Sequence, residues 1–333
     1  MAKKIFITGG AGYCGSRLVP QLLSKGHKVT VYDLLIFGKE FFPNHDNLKI
    51  IKGDIRNIEE LKKNCAEHDV FINLSCISND ASFVLDEKLS TSINLEAFEP
   101  MVIAAKNAGI KRFIYASSSS VYGLSDQKEV KEDHPLVPLT LYNKYKGMCE
   151  PILLKHTNDS FEGVIFRPAT VCGFAPKLRL DLSVNILTNH AVNKNQITVF
   201  GGEQLRPNLH IQDYCDLVEL LISVDSNKIK NQIFNVGYQN LSINQIAQIV
   251  KNVVQREFPE KGKINIIKTE SDDNRSYHIN SDKIFEKLGF KPKYSIEDAV
   301  KELCLNFRNN KILNSFDDDI YFNVKRFQRL KIT

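Results

Sequence analysis

"TGGAGYCG", Thr8 to Gly15, is the stretch from which the fold can be read: Gly9, Gly12 and Gly15 stand three apart between an apolar run and a helical pattern. Before them "KIFI" (4–7) reads as a buried strand, and after them "SRLVPQLLSKG" (16–26) repeats its apolar residues at helical spacing. Strand, glycine turn and helix in that order make a phosphate-binding corner. Glycine permits the tight turn, close approach of the backbone to a diphosphate, and close helix packing, with the phosphates at the helix N-terminus. A glycine triplet alone is common; what specifies this one is that the next strand, "KVTVY" (28–32), ends on an acid, Asp33. That carboxylate is placed to accept hydrogen bonds from an adenosine ribose, and its charge repels a 2′-phosphate. The expected cofactor is therefore NAD rather than NADP.

Outward from this corner, β-rich runs recur with helical patterns between them: "LKIIKGD", "VFINLS", "RFIYASS" and "GVIFRPA". The alternation predicts an α/β fold, a Rossmann-like doubly wound parallel sheet. After Ala169 the rhythm changes to loops with Gly and Pro, a strand "QIFNVG" and late helical patterns such as "SINQIAQIVKNVV". We expect a dinucleotide-binding domain over 1–170, to which 210–237 returns, and a smaller C-terminal substrate-binding domain over 171–333. The tail from Asn306, with "FDDDIYFNVKRF", has aromatics but no clear period, and its three aspartates read as a solvated turn rather than a metal site.

Composition narrows the classes. The 333 residues are 43% hydrophobic and 25% charged, enough to bury a large core, and no apolar run is long enough to span a bilayer. Seven scattered cysteines without a Cys-x-x-Cys argue against a disulfide framework or a zinc site and for free thiols in a reducing cytoplasm. The net charge of +5 is spread along the chain, so nucleic acid is not an expected partner.

Two further stretches carry chemistry. "YNKYK" puts Tyr142 and Lys146 four apart, on one face of a helix. A phenol of ordinary pKa about 10 is a poor base at neutral pH, and a neighbouring ammonium stabilises its phenolate. "SSSSVYG" (117–123) places four hydroxyls at the end of a strand, which is too polar for a core.

With "GDIRN", "RPATVCG", "RPNLHIQD" and "NRSYHINSDKIFEKLGFKP" these motifs keep an order that resembles the extended short-chain dehydrogenase/reductase family, the NAD-dependent nucleotide-sugar epimerases and dehydratases, from about Lys4 to about Leu303. The resemblance implies that Ser118, three residues before the valine of V-Y-G, binds the sugar oxygen being oxidised while Tyr142 takes its proton; Ser117 ends the strand. It implies that Asp54 and the Ile55 backbone read the adenine, that Lys146 also holds the nicotinamide ribose, and that Asn94 supports the cofactor side. Arg206 and Arg275 match diphosphate-binding arginines. Tyr13, Cys14, Leu74 and Ser75 complete the expected cofactor set, and Ser119, Thr170 and Asn185 the substrate set. Homodimers pairing through the tyrosine helix are common in such enzymes.

Relatives that eliminate water carry an acid and a base where this chain has Ser119 and Ser120, so dehydration is disfavoured. The expected activity is oxidation at C4 of a nucleotide sugar by a 4-epimerase or 4-dehydrogenase of surface-polysaccharide precursor synthesis. A 4-keto sugar reductase is the alternative, against which Asp33 argues. A non-catalytic NAD-binding scaffold is the rival of another class, and retention of Ser118, Tyr142 and Lys146 argues against it.

Overall fold

The computed structural model describes residues 2–78, 80–125, 127, 129–270, 276 and 278–330. Its strands are β1 (Lys4–Thr8), β2 (Lys28–Asp33), β3 (Leu48–Lys52), β4 (Val70–Asn73), β5 (Arg112–Ala116) and β6 (Glu162–Pro168). They continue with β7 (Thr170–Cys172), β8 (Gln196–Phe200), β9 (Leu205–His210), β10 (Gln232–Val236), β11 (Gln239–Ser242) and β12 (Asn265–Thr269). Seven of these form one parallel sheet in the order β10-β6-β5-β4-β1-β2-β3. The chain runs outward from β1 through β2 to β3, then returns to place β4 on the other side of β1. Loops from the ends of β1 and β4 thus diverge and leave a crevice at that switch point.

Helices cover both faces of the sheet, which is why its strands are apolar in nearly every position instead of alternating. One face buries Leu18, Val19 and Leu22 of the helix Tyr13–Ser24 with Leu217, Val218 and Leu221 of the helix Ile211–Ser223. The other packs Phe98 and Met101 of the helix Phe98–Asn107 and Leu153 of the helix Leu141–His156 around Phe71 and Phe113, whose rings stack at 4.7 Å. Pro151 lies inside the last of these helices, which runs on unbroken to His156.

The smaller lobe has a three-stranded sheet, β11-β9-β7, and a parallel pair, β12-β8. Helices Ser183–Lys194, Ile243–Glu257 and Ile296–Arg308 enclose its core of Val184, Ile197, Val250 and Val300. Two of them begin with capping boxes, Ser242 with Gln245 and Ser295 with Asp298, so those N-termini are already signalled in the sequence. β10 belongs to the large sheet although β7, β8 and β9 of the small lobe precede it. No described helix is long and apolar enough to cross a membrane.

Candidate active site

A cavity of about 710 Å³ opens at the switch point and continues between the lobes. Its floor is the glycine corner. Gly9 has φ +71°, and a Cβ there would collide with the Ser75 backbone; one at Gly15 would collide with the backbone of Gly10. The helix Tyr13–Ser24 starts at Gly12 with no side-chain cap and no acid in its first turn, so its first N–H groups are left for an anion. Tyr13, Cys14, Leu74, Ser75 and Ile55 all line the cavity. Burial pushes the Cys14 thiol up to about 12, against the pull of Arg179, and keeps it protonated.

Asp33 ends β2 inside this cavity. Its Oδ2 accepts from the Ala11 N–H at 3.0 Å and its Oδ1 from the Leu35 N–H at 2.8 Å. Burial raises its pKa, and those two donors only partly offset the rise. Burial also works against ionised Asp54, but Arg56 donates to it from Nε and Nη2 and holds the carboxyl below its usual range. Asn94 is off the cavity wall. Its side chain exchanges two bonds with the Ile77 backbone, at 2.8 and 2.9 Å, and so fixes the loop that follows β4. The uncapped helix, the crowded glycines and Asp33 fit NAD: diphosphate at the N–H groups, ribose at the carboxylate.

The hydroxyl run faces the same space. Ser117 is spent structurally, donating to Glu150 at 2.6 Å. Ser118 caps the turn Ser119–Tyr122, and its Oγ is 2.7 Å from Ser120 Oγ, which donates to Asn143 Oδ1 at 2.5 Å. Thr140 caps the helix Leu141–His156 and thereby sets Tyr142 and Lys146 at the wall. Lys146 is buried, donating from Nζ to the Ala116 carbonyl at 2.8 Å with Nζ 5.2 Å from the centre of the Tyr115 ring. Glu150, from the same helix, forms a fully buried ion pair with Arg167 of β6 at 2.6 Å. Strand end, tyrosine helix and β6 are thus clamped together around Ser118, Tyr142 and Lys146.

Residues 5–237 match the profile of the NAD dependent epimerase/dehydratase family. The chain belongs to that family. Similar proteins include the low-salt glycan biosynthesis protein Agl12 of Haloferax volcanii, 23% identical over 91% of this chain and 97% of its own. UDP-glucuronic acid decarboxylase 1 of Xenopus tropicalis is 27% identical over 92% of this chain and 72% of its own. Among solved structures, the UDP-N-acetylglucosamine 4-epimerase of Methanobrevibacter ruminantium, in complex with UDP-N-acetylmuramic acid, superposes with a TM-score of 0.82 at 26% identity, covering 93% of this chain and 99% of that one.

In this member of the NAD-dependent epimerase/dehydratase family, Ser119, Thr170 and Arg206 line the far half of the cavity with Thr198, Phe200 and Gln204. Arg275 lies outside the described residues. Asn185 requires a correction: it is fully buried and off the cavity wall, not a substrate contact. Its Oδ1 accepts from the Gly173 N–H at 3.0 Å, and its Nδ2 donates to the Arg179 carbonyl at 2.9 Å and to the Tyr13 hydroxyl at 3.2 Å. The amide is consumed in clasping the 173–179 loop to the glycine corner.

Several wall residues were assigned no contact from the sequence. Asn143 is one, and Ser120, weighed above only as a missing acid or base, is another. Lys177, Arg179 and Asp181 are three more, joined by Asn323 and Phe327 from the C-terminal tail. "KLRLD" did contain a signal: charged residues alternate with Leu178 and Leu180, both buried, as in an extended segment with one face on a core.

Proposed function

We propose that this protein oxidises C4 of a nucleotide-activated sugar, as a 4-epimerase or 4-dehydrogenase of surface-polysaccharide precursor synthesis in the cytoplasm. The observation that carries this reading is the convergence of Ser118, Tyr142 and Lys146 on the wall that also holds Asp33 and the glycine corner. Bound NAD supplies the hydride acceptor. Tyr142 holds the proton leaving the C4 hydroxyl, and the buried Lys146 ammonium, with one of its three donors on Ala116, favours the phenolate that receives it. Ser118 orients the sugar oxygen, its own rotamer held by the bridge through Ser120 to Asn143.

Elimination of water finds no support at Ser120, whose one proton is directed to Asn143. A carboxylic acid or base at 119 and 120 would serve that reaction; two serines do not. The choice of a nucleotide sugar is supported by family membership and by what the relatives' names say of them. Incubation with UDP-, GDP-, CDP- and dTDP-sugars, following cofactor absorbance and sugar products together, tests the reading. Product without net NADH indicates epimerisation, and stoichiometric NADH indicates dehydrogenation. A 4-keto-6-deoxy product, or no turnover of any of the panel, would sink it.

A further inference from the structure

The chain beyond Leu303, where the resemblance to the family ends, does not hang free. It returns to the cofactor half of the cavity. Leu180 donates its N–H to the Tyr321 carbonyl at 3.0 Å, and Arg326 donates from Nε to the Ile36 carbonyl, three residues past Asp33, at 2.8 Å. Phe327 meets Phe37 edge to face, centroids 6.3 Å apart. Asn323, 4% exposed, is the junction. Its Nδ2 donates to Ser78 Oγ at 2.8 Å, and its Oδ1 accepts from Lys177 Nζ at 3.2 Å. Ser78 also accepts from Arg179 Nη1 at 3.1 Å, and Arg179 is forked onto Asp181 at 2.8 and 3.1 Å. One tail residue thus ties together the loop after β4 and the segment carrying two cations.

A second observation points to a ligand. Lys177 lines the cavity at 1% exposure, and among the described residues it forms no ion pair. Its amine has a neutral amide oxygen and the face of Phe37, 3.6 Å away, as its contacts, and Asp181 and Asp33 act on it only from beyond ion-pair distance. Burial holds its pKa well below the usual lysine range, so its charged form is costly there, and that cost falls when an anion enters the cavity beside it. Arg179 is within electrostatic reach of Cys14, at the N-terminus of the glycine-corner helix, where a diphosphate would lie.

We propose that the C-terminal tail completes the dinucleotide site: Asn323 and Phe327, together with Lys177 and Arg179, clamp the adenosine diphosphate half of NAD and retain the cofactor from one turnover to the next. The proposal rests on the cavity's taking NAD, and it assigns to residues after 303 a binding role that the glycine corner does not need. Such a wall acts on escape: the dinucleotide leaves only after Asn323 and Phe327 move, so the clamp lowers the dissociation rate more than it changes encounter.

The test is release of cofactor. The purified protein is loaded with NADH and chased with excess ADP-ribose while nicotinamide fluorescence is followed, for wild type, Asn323→Ala, Phe327→Ala, Lys177→Met and the exposed tail control Gln328→Ala. Loss of the Asn323 bonds or the Phe327 wall should speed release by about tenfold or more, the scale of one or two lost contacts. Lys177→Met should weaken equilibrium binding, and Gln328→Ala should match wild type. Thermal melting in the absence of cofactor identifies any variant whose fold is lost, and Phe327→Leu then replaces it. Release unchanged within about twofold in folded Asn323 and Phe327 variants would overturn the clamp and leave the cofactor reading intact. Failure of the wild type to bind NADH at all would overturn both.

Discussion

Ser118 and Ser120 touch each other, so their alanine variants should differ in degree. Ser118→Ala removes the group assigned to the sugar oxygen and should lower turnover by about 10²-fold. Ser120→Ala removes only the bridge to Asn143 and should cost about tenfold, through a looser Ser118. Tyr142→Phe should abolish hydride transfer with nucleotide-sugar binding largely kept. Single-turnover reduction of bound NAD ranks the three, and a larger loss at Ser120 than at Ser118 would reverse the assignment. Asp33 gives a pH prediction with a definite sign. Burial raises its pKa, so it takes up a proton at a higher pH than an ordinary aspartate, and NAD affinity should begin to fall on acidification while surface carboxylates are still ionised. Asp33→Asn should weaken NAD, flatten that dependence and relax discrimination against NADPH, all measurable by titration. Asp33 could be placed from the strand it ends, whereas Ser118 was picked from four adjacent serines only by the resemblance, since a strand-end hydroxyl can equally serve the structure, as Ser117 does. Asn185 was misread because a helix position alone does not tell whether an amide faces a cavity or a turn; the partner, Gly173, is set by tertiary contact.

Strands β1, β2 and β4 to β6 could be read as elements because burial on both sides leaves little but apolar residues, and their alternation with helices marked the sheet as parallel, though not the order of its strands. The tail helix Asn323–Leu330 could not. Its sequence is mostly polar, and Asn323 and Phe327 acquire meaning only against Ser78 and Phe37, which lie far back in the chain. The helix Leu141–His156 carries a testable load of another kind. Glu150→Leu would leave Arg167 buried without its counter-ion and free Ser117, and should destabilise the fold by about 3 to 5 kcal/mol, read from urea unfolding midpoints. The outer face of that helix and of Phe98–Asn107 exposes Met148 and Ile103, at 41% and 40%. We expect the two helices to pair with those of a second copy, so that the wild type sediments as a dimer at micromolar concentration and Met148→Asp with Ile103→Asp as a monomer. A monomeric wild type would refute this.

For the whole molecule, acid stability should be governed by carboxylates held below their usual range. In Asp181 and Glu302 burial opposes ionisation, and Arg179 in one case, His210 and Arg17 in the other, outweigh it. A depressed folded pKa contributes stability that is fully present above the unfolded value of about 4 and is lost as pH falls through the folded value. Asp33 and Asp213, raised by burial, act in the opposite sense and soften the approach. The melting temperature should therefore hold from neutrality to about pH 5 and drop steeply below about pH 4. The order of the strands has a consequence of a different sort. β10 enters the sheet beside β6 from residues 232–236, and the cofactor wall closes with Asn323 and Phe327, far along the chain from the glycine corner. A ribosome delivers the glycine corner long before the residues that enclose it, at about 5 to 20 residues per second. During synthesis the corner stands open, with its largest sheet still missing an edge strand. Lasting capture of the dinucleotide waits until Asn323 and Phe327 have been made and docked.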